Sequence, residues 1–131
     1  MSYFSGSSAE VNTPATWTVP EDLEPLSMGT GITFRPSVGK NLLVNLVRME
    51  PGAHPARHNH DEEQASYVLE GVMEIEVSGE RRRVGPGELV IIPANAPHEV
   101  WVPEGTTTVI DIFAPPRQAL LDILAAHQQE G

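Results

Sequence analysis

The fold and the chemistry of this chain depend on residues 52–71, which read Gly-Ala-His-Pro-Ala-Arg-His-Asn-His-Asp-Glu-Glu-Gln-Ala-Ser-Tyr-Val-Leu-Glu-Gly. His58 and His60 stand two residues apart, so in an extended strand both side chains point to the same face. Two imidazoles on one face can chelate one ion, as the histidine ligands of Zn, Fe, Ni or Mn do. Gln64 offers an amide oxygen four residues later, and His98 comes from a separate strand region. A lone His-x-His recurs by chance, so the metal hypothesis depends on these additional residues.

The sequence around this stretch is typical of an all-β protein. Twelve Pro and eleven Gly, which break helices and mark turns, separate short runs rich in Val, Ile, Leu and Thr. In one run Met73, Ile75 and Val77 alternate with two glutamates, which is the pattern of a half-buried strand. The predicted strands cover residues 32–35, 42–49, 66–69, 72–77, 82–84, 89–92, 100–102 and 106–113. Eight to ten short strands predict a sandwich or barrel, and after them only the tail up to about Ala126 has the apolar spacing of a helix.

Length and composition bound the class of protein. A chain of 131 residues fits one domain, which we divide into an N-terminal arm (1–30), a barrel (31–116) and a C-terminal helix and tail (117–131). No apolar run approaches the roughly 20 residues of a membrane helix. The first eight residues lack the basic and apolar regions of a signal peptide, so we expect a cytoplasmic protein. Cysteine is absent, which excludes disulfides, thiolate metal sites and cysteine nucleophiles.

The charge balance narrows the choice of partners. Eighteen acidic residues against eight basic ones give a net charge of −10. Nucleic acids and anionic membranes bind through clustered Lys and Arg, so we expect neither as a partner. Seven of the eight basic residues are Arg, whose planar fork binds carboxylates, so one Arg facing a pocket suffices to hold a small anion. The adjacent Arg81, Arg82 and Arg83 have a simpler interpretation, as a solvated strand edge opposite Glu74 and Glu76.

Two short motifs carry a resemblance to a known family. They are Gly52-x5-His58-x-His60-x3-Gln64-x6-Gly71 and Gly87-x5-Pro93-x-Asn95-x2-His98. Their order resembles the two sequence motifs of the cupin superfamily, over roughly residues 40–116. The resemblance implies a small jelly-roll β-barrel (a double-stranded β-helix) with a metal bound inside. The implied ligands are His58, His60, Gln64 and His98.

Two positions depart from the usual cupin pattern. Asn95 replaces a glycine of the second motif, although Asn also tolerates a positive φ. Gln64 stands where most cupins carry a glutamate. A neutral amide cancels none of the ion's charge, so the ion stays a strong Lewis acid, which favours polarising a substrate oxygen over activating O₂. His and amide ligands accept Ni, Fe, Mn, Zn or Co, so the expected cofactor is one divalent transition metal.

The acidic residues beside Gln64 allow two interpretations. Glu62 or Glu63 takes over as a metal ligand in one of them. In the other, residues 61–63 form a solvated acidic turn, and this is the one we expect.

The last predicted strand leads into a second set of candidate residues. Val109, Asp111 and Phe113 share one face by the period of two, and two isoleucines share the other. If the first face lines the barrel, Asp111 and Phe113 are pocket residues, and Arg117 closes over the mouth after the turn. If the isoleucines form the core, Asp111 faces solvent. The pattern alone leaves both possibilities open.

A narrower resemblance joins the two sets of residues. His-x-His-x3-Gln together with Asp-x-Phe-x-Pro-Pro-Arg is similar to the KdgF-type small cupins of pectin and alginate breakdown. Those proteins convert 4,5-unsaturated monouronates to linear ketouronates. In that family three His and a Gln hold the metal, and an Asp, a Phe and an Arg complete the active site. The resemblance therefore implies catalytic roles for Asp111, Phe113 and Arg117.

These residues together predict a metal-dependent enzyme that acts on a small carboxylated sugar or a similar anionic molecule. The expected reaction is ring opening and tautomerisation of an unsaturated uronate. The alternatives are a cupin dioxygenase that uses Fe and O₂, an isomerase of another sugar acid, and a non-catalytic cupin that binds a small ligand. Small cupins usually pair, so a homodimer is also implied. Of the remaining histidines, we expect His54 at the pocket rim and His127 in solvent.

Overall fold

Short strands dominate the computed structural model of the protein, which describes residues 2–6 and 10–130. In that part of the chain nine strands are followed by one α-helix, and the all-β prediction is confirmed. The strands are β1 (Leu26–Ser27), β2 (Ile32–Val38), β3 (Leu43–Met49), β4 (Glu63–Glu70), β5 (Met73–Val77), β6 (Glu80–Val84), β7 (Leu89–Ile92), β8 (His98–Trp101) and β9 (Thr107–Ala114). The helix α1 is Gln118–Glu130.

The strands form two antiparallel sheets. Six strands pair in the order β1-β2-β3-β9-β4-β7, and three pair in the order β6-β5-β8. Side chains from both sheets meet in one core, which contains Val47, Val68 and Val109 from the larger sheet and Met73 and Ile75 from the smaller one. Because the two inner faces share a core, the sheets enclose a barrel.

The strand β5 shows how the sequence pattern becomes a two-faced sheet. Met73 and Ile75 are buried, whereas Glu74 between them is partly exposed and lies 3.3 Å from Arg81. The neighbouring strand β6 is the edge of the smaller sheet, and Arg81, Arg82 and Arg83 are exposed on it. The predicted solvated arginine edge is therefore confirmed.

The strand β2 is longer than predicted because it continues through a proline. Residues 32–35 were expected to be extended, and the strand runs to Val38 through Pro36. β1 pairs only with Thr33 and Phe34, so β2 is an edge strand beyond that point. A proline, which has no backbone N–H, is tolerated on an edge strand.

The backbone conformation at two turns explains why the motifs have a glycine at position 71 and accept Asn95. Gly71 has a φ of +79°, and a Cβ there would lie 2.4 Å from the backbone oxygen of Thr106, so a side chain does not fit. Asn95 has a φ of 65°, in the left-handed region that Asn tolerates better than most residues. The turn before β8 therefore keeps its form although Asn replaces the usual glycine.

The two ends of the chain pack differently. Residues 2–6 and 10–19 are exposed, and β1, within the segment predicted as an arm, pairs with β2. Leu120 of α1 packs against Leu26, Leu43 and Phe113, so the helix lies against the barrel of its own chain. Residues 1, 7–9 and 131, which belong to the predicted arm and tail, lie outside the described residues. No helix in the described ranges is long and apolar enough to cross a membrane.

Candidate metal centre

Three histidines converge inside the barrel. His58, His60 and His98 each offer a ring nitrogen, and these nitrogens all lie within 4.8 Å of one another. The ring centroids of His58 and His98 are 4.2 Å apart, and those of His60 and His98 are 5.0 Å apart. The structure thus brings together the three histidines that the motifs single out.

Backbone hydrogen bonds hold the first pair of histidines beside the third. The N–H of His58 donates to the carbonyl oxygen of His98 at 3.0 Å, and the N–H of His98 donates to that of His58 at 2.9 Å. This is an isolated antiparallel bridge, so the chain at His58 runs alongside β8 without joining a longer strand. The rings of His58 and His60 are 5.7 Å apart by centroid, as expected of alternate residues that face one side.

The three imidazoles share one hydrogen-bond pattern. In each ring Nδ1 faces a backbone carbonyl oxygen: that of Ala56 at 2.7 Å for His58, that of Glu62 at 3.0 Å for His60, and that of Ala96 at 2.9 Å for His98. A carbonyl only accepts hydrogen bonds, so each Nδ1 carries the proton and each Nε2 presents a lone pair. Such contacts orient the histidine ligands of metal ions.

Two of the Nε2 atoms show that the cluster suits a cation. His98 Nε2 is buried and has no hydrogen-bond partner among the described residues. His60 Nε2 lies 3.0 Å from Oε1 of Gln64, and with the proton on Nδ1 both atoms present lone pairs to each other. A cation would satisfy all of these atoms, whereas without one a buried nitrogen stays unpaired and two acceptors face each other. Three imidazoles and one amide oxygen therefore fit a divalent transition metal.

Burial keeps two of the imidazoles neutral. Desolvation lowers the pKa of His98 to about 4, and the hydrogen bond to the Ala96 carbonyl opposes this shift. The pKa of His60 is lowered as well, first by burial and then by the positive charge of Arg117. The neutral imidazole is the form that binds a metal, so both side chains are competent ligands at neutral pH.

A chain of hydrogen bonds fixes the amide of Gln64. Its Nε2 donates to Ser66 Oγ at 2.9 Å, and the Ser66 hydroxyl donates to Asp111 Oδ1 at 2.6 Å. Gln64 and Ser66 are alternate residues of β4, and Ser66 is directly opposite Asp111 on β9. Because Nε2 is held by Ser66, Oε1 turns toward the imidazole of His60. Ser66 is not part of either sequence motif, although its place two residues after Gln64 on one strand face was an available signal.

Asp111 points into the barrel, which decides between the two orientations left open by the strand pattern. Val109 and Phe113 on the same face are buried, whereas Ile112 on the other face is 37% exposed. Burial raises the pKa of Asp111 to about 6, and hydrogen bonds and the charge of Arg117 oppose that rise. Asp111 is therefore a cavity-facing acid that can gain or lose a proton near neutral pH.

Phe113 and Arg117 line the same cavity as Asp111. Phe113 packs against the ring of His60 with the centroids 5.6 Å apart, and the guanidinium carbon of Arg117 lies 5.8 Å from the centroid of Phe113. Burial lowers the pKa of Arg117, while the negative charges of Glu62 and Asp111 oppose this. A guanidinium is charged at neutral pH, so the cavity contains a cation that can pair with a carboxylate.

The environment of Glu62 corrects one prediction. Asp61 and Glu63 are exposed as expected of a solvated turn, but Glu62 is buried. Its Oε2 accepts the backbone N–H of Gln118, the first residue of α1, at 2.8 Å. The first N–H groups of a helix have no partner within the helix, so this carboxylate caps α1 and ties it to the site. The solvated-turn prediction is wrong for Glu62, because a helix end distant in the sequence supplies its partner.

The cavity has a volume of about 370 Å³ and a mostly apolar lining. Gln64, Ser66 and Asp111 add a group of polar side chains from the larger sheet, whereas the β5 residues that face the cavity from the smaller sheet, Met73 and Ile75, are apolar. His98 of β8 is the polar side chain that the smaller sheet contributes. The volume suits a small molecule, and the polar groups are gathered where such a molecule would be oriented.

The two remaining histidines lie elsewhere among the described residues. His54 Nε2 is 2.6 Å from Glu99 Oε2, and its ring stacks on Trp101 with a centroid separation of 5.4 Å. His127 Nε2 is 3.4 Å from Glu24 and its side chain is partly exposed. Neither belongs to the described lining of the cavity.

Comparison with known families agrees with this geometry. The model of a family described as "Cupin domain" matches residues 45–113, more than half of the chain. The chain belongs to the cupin family. The matched span begins in β3 and ends in β9, so it includes the clustered histidines, Gln64 and Asp111 of this cupin.

This cupin is of the KdgF type. It is 32% identical over 82 residues to "Pectin degradation protein KdgF" of Dickeya dadantii (strain 3937), covering 62% of this chain and 74% of that protein. The structure of KdgF from Halomonas sp. matches with a TM-score of 0.77 and 27% identity, over 82% of this chain and 99% of the other. An RmlC-like cupin from Shewanella frigidimarina NCIMB 400 shares the fold, with a TM-score of 0.76 and 24% identity over 82% and 96% of the two chains.

Proposed function

We propose that this cupin is a metal-dependent enzyme that opens the ring of a 4,5-unsaturated monouronate and yields a linear ketouronate. One observation carries the proposal: the amide of Gln64, turned toward the imidazoles, and the cavity-facing acid Asp111 belong to one hydrogen-bonded chain through Ser66. Metal ligand and acid are thus arranged around the same small cavity. The similarity to a pectin degradation protein supports the substrate class.

The proposed cofactor is one divalent transition metal, held by His58, His60, Gln64 and His98. The four side chains are neutral donors, and Ni, Fe, Mn, Zn or Co accept such a set. When bound, the ion supplies a Lewis acid that polarises an oxygen of the substrate.

Arg117 and Phe113, which line the cavity, bind and orient the substrate. Arg117 pairs with the uronate carboxylate, because a guanidinium and a carboxylate form strong charge-assisted hydrogen bonds. Phe113 lies between Arg117 and His60 and packs on the apolar face of the sugar, where it excludes water. These contacts place the ring beside Asp111, which faces the same cavity.

Asp111 moves the proton that ring opening requires. It takes the proton of the anomeric hydroxyl while a carbonyl forms at the anomeric carbon and the bond from that carbon to the ring oxygen breaks. The ring oxygen leaves as an enolate, in which the carbon–carbon double bond is still present. Asp111 then returns the proton to the far carbon of that double bond as the enolate becomes a ketone. No atom is gained or lost, so the reaction is an isomerisation that needs no co-reactant.

The test is the loss of ultraviolet absorbance of an unsaturated monouronate with purified, metal-loaded protein. We expect the wild type to clear the absorbance and Asp111→Asn to do so far more slowly. Glu74→Gln, an acid-to-amide change on the outer face of the smaller sheet, is the matched control and is expected to match the wild type. Equal slow clearance by the wild type and Asp111→Asn would refute the assignment.

The same experiment separates the alternative functions. Oxygen uptake during turnover would identify an Fe- and O₂-dependent dioxygenase instead. A uronate that binds and is recovered unchanged would identify a non-catalytic binding cupin.

We also propose that two copies of the chain pair through the outer face of the larger sheet. Exposed apolar side chains adjoin there on β4, β7 and β9: Tyr67 is opposite Leu89, and Ala65 lies between Ile91 and Ile112. A patch this apolar on an acidic protein is typical of an interaction surface, and a second copy offers the same patch in return. Sedimentation of Ile91→Lys is expected to show a monomer where the wild type is a dimer. A monomeric wild type would contradict the pairing.

A further inference from the structure

Asn45 is a buried amide without a hydrogen-bond partner. It lies in the middle of β3 with 0% exposure, and neither atom of its amide has a partner among the described residues. Buried amides in proteins are usually paired, because an unpaired one gives up its water without compensation. Its neighbours on the same strand face, Leu43 and Val47, show that an apolar side chain fits this layer. The polar group at this position is therefore unfavourable for packing and needs another explanation.

The strand register places Asn45 beside the reacting acid. Asn45 is directly opposite Asp111 in the pairing of β3 with β9, and directly opposite Pro36 in the pairing of β3 with β2. Directly opposite residues share a face and have Cβ atoms about 4.5–5.5 Å apart. Ser66 is opposite Asp111 on the other side, so three polar residues form one row across β3, β9 and β4. Pro36 has no side-chain hydrogen-bonding group, so Asp111 is the polar neighbour that Asn45 has in this row.

The carboxyl of Asp111 can accept a second partner. Ser66 donates to Oδ1 at 2.6 Å, which uses one of the roughly four acceptor positions of a carboxylate. An amide has both a donor and an acceptor. It can therefore hydrogen-bond both the protonated carboxyl and the carboxylate. Asn45 does not belong to the described lining of the cavity, so it acts through Asp111 and not on the substrate.

The structure places the amide of Asn45 opposite the carboxyl of Asp111 without a hydrogen bond between them. We propose that Asn45 is a positioning residue whose amide closes this gap in solution, pairs with that carboxyl and, with Ser66 on the opposite side, holds it toward the cavity. The proposal rests on the proposed function in that Asp111 is taken to move the proton. It adds a residue from β3 to a site otherwise built from β4, β8, β9 and the histidine segment.

The variant that tests this role is Asn45→Leu, which keeps the size of the side chain and removes its polar atoms. With the unsaturated monouronate as the probe, we expect kcat to fall about tenfold to hundredfold, because a displaced catalytic group loses its alignment. KM and metal content are expected to stay at wild-type values, because Asn45 belongs neither to the described lining of the cavity nor to the histidine cluster. Asn45→Thr, which suits a strand and keeps a hydroxyl, is expected to retain more kcat than Asn45→Leu.

Ser37→Ala is the matched control. Ser37 Oγ is also buried and unpaired in the described part of the chain, but Ser37 lies opposite Val44, on the other face of the sheet. Its loss is expected to leave kcat unchanged. A kcat of Asn45→Leu equal to that of the wild type would overturn the positioning role and leave the proposed function intact.

A stability measurement on the metal-free protein tests the contact separately from the reaction. Unfolding equilibrium constants of Asn45→Leu, Asp111→Asn and the double variant form a double-mutant cycle. If the two side chains pair, the effects depart from additivity by about threefold or more. Additive effects would overturn the pairing, and they would do so even if the wild type had no activity on a uronate.

Discussion

The two walls of the cavity differ in what their strands turn inward. The larger sheet presents a row of polar side chains, Asn45, Asp111 and Ser66, on three neighbouring strands. The smaller sheet presents Met73 and Ile75 at equivalent inward positions. Burying the polar row costs stability, whereas burying the apolar pair adds to it. The proton-moving acid and its polar neighbours therefore lie on the larger sheet, whereas the smaller sheet contributes one metal ligand, His98 of β8, and otherwise packing.

Removing the metal is expected to have the largest effect, because the histidine cluster lies where the two walls meet. Chelation should reduce uronate clearance to the rate of the protein-free control, and metal addition should restore it. The thermal unfolding temperature should fall on removal, since an ion that binds only the folded chain stabilises it. If clearance persists in protein shown to be metal-free, the polar side chains of the larger sheet act without a metal, and the metal-dependent function is contradicted.

Asp111→Asn comes next and affects the polar wall alone. Loss of the proton-moving group is expected to lower kcat about 10²–10⁴-fold. Metal content and unfolding temperature should stay near wild-type values, because the substitution removes a buried acid without removing a ligand. Elemental analysis and calorimetry of the same preparation check both points. A loss of activity matched by a loss of metal would make Asp111 a structural residue of the metal centre.

Met73→Ala tests the apolar wall. Truncating a buried methionine is expected to lower the free energy of unfolding by about 2–5 kcal/mol, as measured by denaturant titration. The kcat per folded molecule should be unchanged. A fall in kcat beyond the fall in the folded fraction would show that the apolar side chains of β5 take part in the reaction and would remove the contrast between the walls.

Glu62→Gln is expected to have the smallest effect. It weakens the cap on the first N–H of α1, and loss of a helix cap costs about 0.5–2 kcal/mol of stability. Arg117 directly precedes the helix, so KM should rise while kcat changes little. Asp122→Asn, on an exposed turn of the same helix, is the control and should leave both constants unchanged.

The alternation and spacing of residues in the sequence predicted those features that depend on a single segment of the chain. The alternation in β5 gave its two faces, and the spacing of His58, His60 and His98 in the two motifs gave the cluster. The cap made by Glu62 and the row beside Asp111 depend on which distant segments pair and in what register. A single sequence does not reveal that register, because a shift by one residue would turn every side chain to the other face.

Elemental analysis of the reconstituted protein tests whether three imidazoles and one amide hold a metal where the two walls meet. We expect one divalent transition ion per chain in the wild type, the same content in Asp111→Asn, and none retained in His98→Ala. A wild type that holds no ion after excess metal is supplied, or a His98→Ala variant that holds as much as the wild type, would contradict this expectation.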